Sequence, residues 1–148
     1  MIRKATRYDI PRLLEFVESY SKEYPVDVLG DTTKHSPKHV EQLLFSIING
    51  RGFILIDKHM TGTLIAIKQN NIWCPDVVEL HELLWWVDYE HRNNLVGGKL
   101  WIEYDKIASK LLNDGAIHCA YTSVSANGPL INYTKRGYKA VGASFVKE

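Results

Sequence analysis

ELHELLWWVDYEHRNNLVGGKLWIEYDKIASKLL, residues Glu79–Leu112, holds two hydrophobic periods joined by one turn. The first part, Val77 to Asp88, is apolar and β-prone, and predicts a long strand, buried on both faces and central in a sheet. Past Arg92-Asn93-Asn94 the spacing changes. Leu100, Trp101, Tyr104, Ile107, Ala108, Leu111 and Leu112 share one stripe of a helix, with Lys99, Glu103, Lys106 and Lys110 outside it. Asn113-Asp114-Gly115 stops that helix. A strand, a tight glycine-bearing turn and a helix start make an anion site, because the first N–H groups of a helix lack partners and carry the positive end of its dipole.

Outward from this stretch, Met1 to Thr6 predicts a short strand, and Asp9 a cap for a helix carrying Ile10, Leu13, Leu14, Val17 and Tyr20 on one face. Glu23 to Lys34 loses period around Pro25 and Gly30 and carries the acidic residues Glu23, Asp27 and Asp31, so it is expected to be a loop. Ser36-Pro37 starts a second helix with Val40, Leu43, Leu44, Ile47 and Ile48, ended by Asn49-Gly50. Phe53 to Asp57 and Thr63 to Lys68 read as an antiparallel hairpin. After the long strand and helix come a strand at Ala116 to Val124, a short helix at Asn127 to Arg136 and a closing strand at Tyr138 to Val146. The order is β, α, α, β, β, β, α, β, α, β, in the α/β (α+β) class.

With 148 residues, 45% of them hydrophobic, the chain reads as a single domain, 1–148, with a sizeable core. Lys and Arg number 18 against 17 Asp and Glu, so no global field draws it to nucleic acid or a membrane surface. No apolar run approaches the roughly 20 residues that span a bilayer. Cys74 and Cys119 stand far apart without Cys-x-x-Cys spacing, which argues against a disulfide framework or zinc site and fits a reducing, cytoplasmic setting. His35 and His39 have i, i+4 spacing but lack the Glu of a His-Glu-x-x-His metal motif.

The element order and two local motifs resemble the GNAT superfamily of acyl-CoA-dependent N-acyltransferases, over most of the chain. WWVDYEHRNNLVGGKLW resembles that family's central strand and pyrophosphate loop. Arg92 and Gly97 match the loop pattern, and Leu95 stands at its first glycine. INYTKRGYKAVGASFVK resembles the family's Tyr-x-Lys-x-Gly-Phe segment through Tyr133, Lys135, Gly137 and Tyr138, an ending similar to that of small bacteriophage acetyltransferases. Asn127 is offset from the family's usual Asn, and no role is carried to it.

The resemblance implies a mixed, mainly antiparallel sheet flanked by helices, acetyl-CoA as cosubstrate, and transfer of its acetyl group to a primary amine by direct attack. Trp85, Trp86 and Val87 would pair with the pantetheine arm, and Arg92, Asn93, Asn94, Val96, Gly97 and Gly98 would surround the pyrophosphate, with Lys99 close by. Core packing competes with that role for the Trp pair, and an ordinary surface turn competes for the loop. Leu95 is expected to face the core or a neighbouring helix, away from phosphate, since a missing Cβ is what lets a backbone approach it.

Glu82 is expected to be the general base, with Glu79 and His81 as substitutes and a structural carboxylate as the competing reading. Strand alternation places Glu82, Leu84 and Trp86 on one face and His81, Leu83 and Trp85 on the other. Tyr133 matches the family tyrosine that protonates the departing thiolate, though it could equally pack on a helix. Cys119 reads as a buried strand thiol and not a nucleophile. The acceptor cleft is expected between the Glu23–Lys34 loop and the segment after Gly137, for a small-molecule amine, a protein lysine or an N-terminus. Acidic residues in that loop favour a cationic amine such as a polyamine or lysine side chain. A homodimer is left open, as are a non-catalytic binding or host-interaction module, for which Leu95 argues, and a nucleic-acid-modifying relative, against which the balanced charge argues.

Overall fold

Strand-forming residues on either side of a Lys58–Thr61 turn pair Gly52–Asp57 (β2) with Gly62–Asn70 (β3) in the computed structural model, which describes residues 1–124 and 131–148. Asp57 holds that turn: its buried carboxylate accepts from the N–H groups of Thr61 at 2.7 Å, Gly62 at 2.8 Å and His59 at 3.2 Å, and from the Thr61 hydroxyl at 2.8 Å. Met60 takes a left-handed φ of 56° in this turn.

Ile2–Lys4 (β1) pairs antiparallel with β2, Val78–Val87 (β4) antiparallel with β3, and Cys119–Tyr121 (β5) parallel with β4, giving the order β1-β2-β3-β4-β5. Ile10–Glu23 (α1), Asp27–Gly30 (α2) and Pro37–Ser46 (α3) follow β1, and Val96–Asn113 (α4) joins β4 to β5. Ser36 caps α3 by accepting from the N–H of His39 at 3.3 Å, with Pro37 at the first helical position.

The sheet has a core on each face. Leu13 and Phe16 of α1, Leu44 of α3 and Ile47 pack on Ile54, Ile56, Ile65, Ile67 and Leu84. Leu100, Trp101, Tyr104 and Ala108 of α4 pack on Leu55, Leu64, Ala66, Leu80 and Val87. Trp101 and Tyr104 are fully buried, and burial of such side chains stabilises by about 1.5–3 kcal/mol each. The helical periods predict most of both stripes, but Phe16, absent from the predicted α1 face, is fully buried, and Leu112 at the end of the α4 stripe is exposed.

Several expectations are corrected. β3 is the middle strand, and β4 is next to the edge, flanked on its far side by only the short β5. Asp9 makes no side-chain cap on α1. Its buried carboxylate instead accepts from the Thr6 N–H at 2.8 Å and from both Arg3 fork nitrogens, at 2.8 and 2.9 Å. The Glu23–Lys34 stretch is not wholly loop, since α2 and a 3₁₀ turn at Thr32–Lys34 lie within it.

The strand expected over Ala116 to Val124 shrinks to β5, because β4 turns away beyond His81 and leaves the following residues no ladder partner. Of the helix expected at Asn127 to Arg136, residues 125–130 lie outside the described residues, and the rest holds a 3₁₀ turn, Thr134–Arg136, closed by Gly137 at φ 89°. Tyr138 to Val146 is not a strand. It crosses the surface unpaired, with Phe145 exposed, to where the Glu148 carboxylate accepts from the N–H groups of Asp27 and Val28 at 3.0 and 3.1 Å.

Candidate active site

The register between β3 and β4 slips by one residue in mid-strand: Ile65 faces Leu84 and Ala66 faces Glu82, leaving Leu83 as a bulge. The simple alternation therefore fails at this point. Leu84 and Trp86 face the α1 and α3 side, where Trp86 meets Tyr20 edge-on at 6.5 Å. Glu82 is out of phase with them, in register with Ala66, which packs on the α4 side. The bulge bends β4 away from β5, and their pairing ends at His81 and Tyr121. Beyond that point, the polar backbone groups of β4 that point away from β3 meet no strand among the described residues. The gap opens into a cleft of about 680 Å³ walled by β4 residues 82–87, Gly97 and Gly98, Ser123 and Val124, and by Glu23, Tyr24 and Pro25 on the opposite rim.

Glu82 stands where the strands part. Its carboxylate accepts from the Thr122 hydroxyl at 2.7 Å and the Ser123 N–H at 3.0 Å. Thr122 in turn accepts from the Trp101 indole N–H at 3.0 Å. Burial raises the Glu82 pKa above the ordinary carboxyl value, and these two hydrogen bonds only partly oppose it. Thr122 and Ser123 escaped sequence reading because nothing in their local pattern separates them from a strand end. A carboxylate left at a fork between strands was the one available signal.

Glu79 and His81 lie outside the cleft lining. Glu79 accepts from Asn71 at 2.7 Å and lies 2.9 Å from the His81 ring, while His81 stacks on Tyr121 at 4.5 Å. The Asn71 and His81 contacts lower the Glu79 pKa, which makes it the weaker base. Cys119 is half-buried with its thiol pKa raised, first by burial and then by Glu79, so it stays protonated.

Tyr133 packs edge-on against Trp101 at 5.4 Å and is not in the cleft lining. Its hydroxyl is buried and is the one such side-chain atom among the described residues without a hydrogen-bond partner. Burial and then the Glu82 charge raise its pKa, opposed by the neighbouring Thr122 hydroxyl, so it too stays protonated at neutral pH.

At the far end of the cleft, Asn94 Oδ1 accepts from the Val96 N–H at 3.0 Å and the Lys99 N–H reaches Leu95 O at 3.0 Å. The N–H groups of Gly97 and Gly98 fall in the helix turn that has no intrahelical partners. A Cβ on Gly98 would meet nothing within 4 Å, and one on Gly97 would touch Val87 at 3.5 Å and the Trp85 ring at 3.9 Å. Trp85 donates to Gly97 O at 3.1 Å and Val87 is buried, so both side chains hold the helix to the strand. Asn93 and Lys99 are exposed.

One sequence expectation changes at this end, that for Leu95. Leu95 faces neither the core nor a helix: it is 74% exposed at the helix N-cap, because the loop around it is built from polar turn residues with nothing packed above. Arg92 does not aim its guanidinium at the helix start. It donates to Val87 O at 2.8 Å and grips Glu23 with both fork nitrogens, at 3.0 and 2.9 Å.

An elongated ligand with amides along its length and phosphate at one end fits this cleft: unpaired strand groups along one wall, free helix N–H groups and a side-chain-free Gly98 at the end. Among the described residues no helix is long and apolar enough to cross a membrane.

No protein-family model and no curated protein matches the sequence. Solved structures do. A GCN5-related N-acetyltransferase from Ralstonia eutropha superposes with a TM-score of 0.69 at 16% identity, covering 100% of this chain and 97% of that one. A GNAT family acetyltransferase from Staphylococcus aureus gives 0.62 at 16% identity, with coverage of 100% and 97%. AAC(6')-Iy, in complex with a bisubstrate analog, CoA-S-monomethyl-acetylneamine, gives 0.63 at 10% identity, covering 100% and 96%. The fold of this chain is that of the GNAT acetyltransferases, with a mixed, mostly antiparallel sheet flanked by helices.

Proposed function

We propose that this chain is an N-acetyltransferase that uses acetyl-CoA and acetylates a primary amine. The observation that carries the reading is the fork between β4 and β5, with a carboxylate of raised pKa at its apex and a bare helix N-terminus at its mouth. Acetyltransferase neighbours of the same fold, one of them holding a CoA-derived analog, support it.

The cosubstrate would bring an activated acyl group as a thioester. Backbone groups of Trp85, Trp86 and Val87 would hold the amide-bearing arm, apart from the Val87 carbonyl, which accepts from Arg92. The N–H groups of Gly97 and Gly98, with Asn93, Asn94, Val96 and Lys99 around them, would hold the pyrophosphate. Orientation of this kind contributes more to acyl transfer than any one side chain.

Glu82 takes the proton from the acceptor's ammonium group. Its raised pKa brings it nearer to neutrality, where a base is most effective, and Thr122 and Ser123 fix its orientation. Tyr133 supplies a proton to the departing sulfur. Its unpartnered hydroxyl has a proton to give and nothing in the described chain to give it to. The acceptor enters from the rim formed by Glu23, Tyr24 and Pro25.

The test is to incubate the protein with acetyl-CoA and a panel of polyamines, lysine-bearing peptides and aminoglycosides, reading free thiol and the mass of each amine. The reading requires stoichiometric thiol release and a singly acetylated product with at least one amine class, lost in Glu82→Gln. Thiol release with no acetylated amine, or turnover unchanged in that variant, would contradict it.

A further inference from the structure

Among the described residues Arg92 is the one Lys or Arg in the wall of the cleft, and it is held by a carboxylate in the same wall. Its guanidinium lies 4.5 Å from the centre of the Trp86 ring and 5.6 Å from that of Tyr89, with both fork nitrogens on Glu23. A carboxylate beside an aromatic face is the chemistry of a site for organic cations, and here it holds the chain's own cation. The pair is partly open to solvent, with 34% of the Arg92 side chain and 46% of Glu23 exposed, so the attraction is well screened. A phosphate offers the same fork a bidentate, charge-assisted partner.

Building on the acetyl-CoA reading above, we propose that cosubstrate binding splits the Glu23–Arg92 pair into two ligand contacts. Arg92 turns to phosphate. Glu23 and Trp86 are left to take a cationic group of the acceptor other than the amine that reacts. The acceptor class is therefore an amine with at least one further positive charge, and its site exists only once the cosubstrate is bound. Tyr20, Tyr24 and Pro25 complete that rim, while Asp88, the other nearby carboxylate, is engaged by Arg12 and the Trp86 indole N–H.

Calorimetric titration of CoA and of spermidine, separately and together, tests this without turnover. Spermidine should bind about tenfold tighter when CoA is saturating. Glu23→Gln frees Arg92 from the same pair, so it should bind CoA tighter than the parent by the same factor of about ten and lose the coupling to spermidine. Equal spermidine affinity with and without CoA, or a Glu23→Gln variant that folds and binds CoA no tighter, would overturn the proposal while leaving the acetyl-CoA reading in place. Failure of the parent to bind CoA would remove that reading and this inference with it.

Discussion

Across the gap where β4 and β5 part, the Thr122 hydroxyl donates to the Glu82 carboxylate at 2.7 Å. Both residues would be unremarkable in a closed sheet. The bulge at Leu83 separates the strands, and the carboxylate that would otherwise sit in the ladder is left facing a cleft.

This arrangement predicts two opposite pH responses. For catalysis Glu82 must be ionised, so the rate should rise as pH passes upward through its raised pKa. For stability the sign reverses. A carboxyl whose folded pKa lies above its ordinary value of 4.5 stabilises the fold most when protonated, and that contribution is lost as pH rises through the folded value. Glu82→Gln should abolish turnover and flatten the stability profile in that window. Chemical denaturation across a pH series checks it, and a parent-like slope in the variant would contradict the assignment.

Tyr133→Phe separates chemistry from packing. The ring stays against Trp101 and Tyr138, and the hydroxyl that is lost has no partner among the described residues, so the melting temperature should hold or rise. Positioned proton transfer is worth about 10²–10⁴ in rate, so kcat should fall by that order with CoA affinity unchanged. A variant that keeps full kcat when chemistry is rate-limiting would mean that water or the acceptor gives the proton.

Asp57 tests the scaffold. Burial would raise its pKa, but the Thr61 hydroxyl and the N–H groups of Gly62, Thr61 and His59 together hold it below the ordinary 3.8. A carboxyl of depressed pKa stabilises above its unfolded value and loses that contribution as pH falls through the folded one. Asp57→Ala should cost about 2–3 kcal/mol at neutral pH, because buried donors lose their acceptor, and should flatten the acid limb of the profile. Equal acid sensitivity in parent and variant would contradict this.

What could be read from the residues alone follows from what is local. The stripe from Leu100 to Leu112, the Ser36-Pro37 start and the hairpin around Asp57 are written in period and turn chemistry, and each forms. Gly97 and Gly98 are legible as neighbours of a strand-to-helix turn, whereas Glu82 is singled out only through the family resemblance. What depends on non-local geometry was not. The bulge at Leu83 breaks the alternation that should have placed Glu82 beside Trp86, and the shortness of β5 follows from it. Tyr138 to Val146 has strand residues but no strand to pair with among those described. That the Arg92 fork is filled by Glu23, far away in sequence, is likewise invisible in the local pattern.

The central claim is that the mouth of the cleft at Gly97 and Gly98 takes the phosphates of acetyl-CoA, and its most direct test is thermal denaturation of the parent and Gly98→Val with and without that ligand. A Cβ at Gly98 meets no atom within 4 Å outside its own turn of helix, and glycine orders at a greater entropic cost than any other residue, so the unliganded variant should melt no lower than the parent. Acetyl-CoA at about 100 times its Kd should stabilise the parent by about 2.7 kcal/mol and leave Gly98→Val almost unshifted. A parent that does not shift at millimolar acetyl-CoA, or a Gly98→Val variant that shifts as far as the parent, would contradict the account.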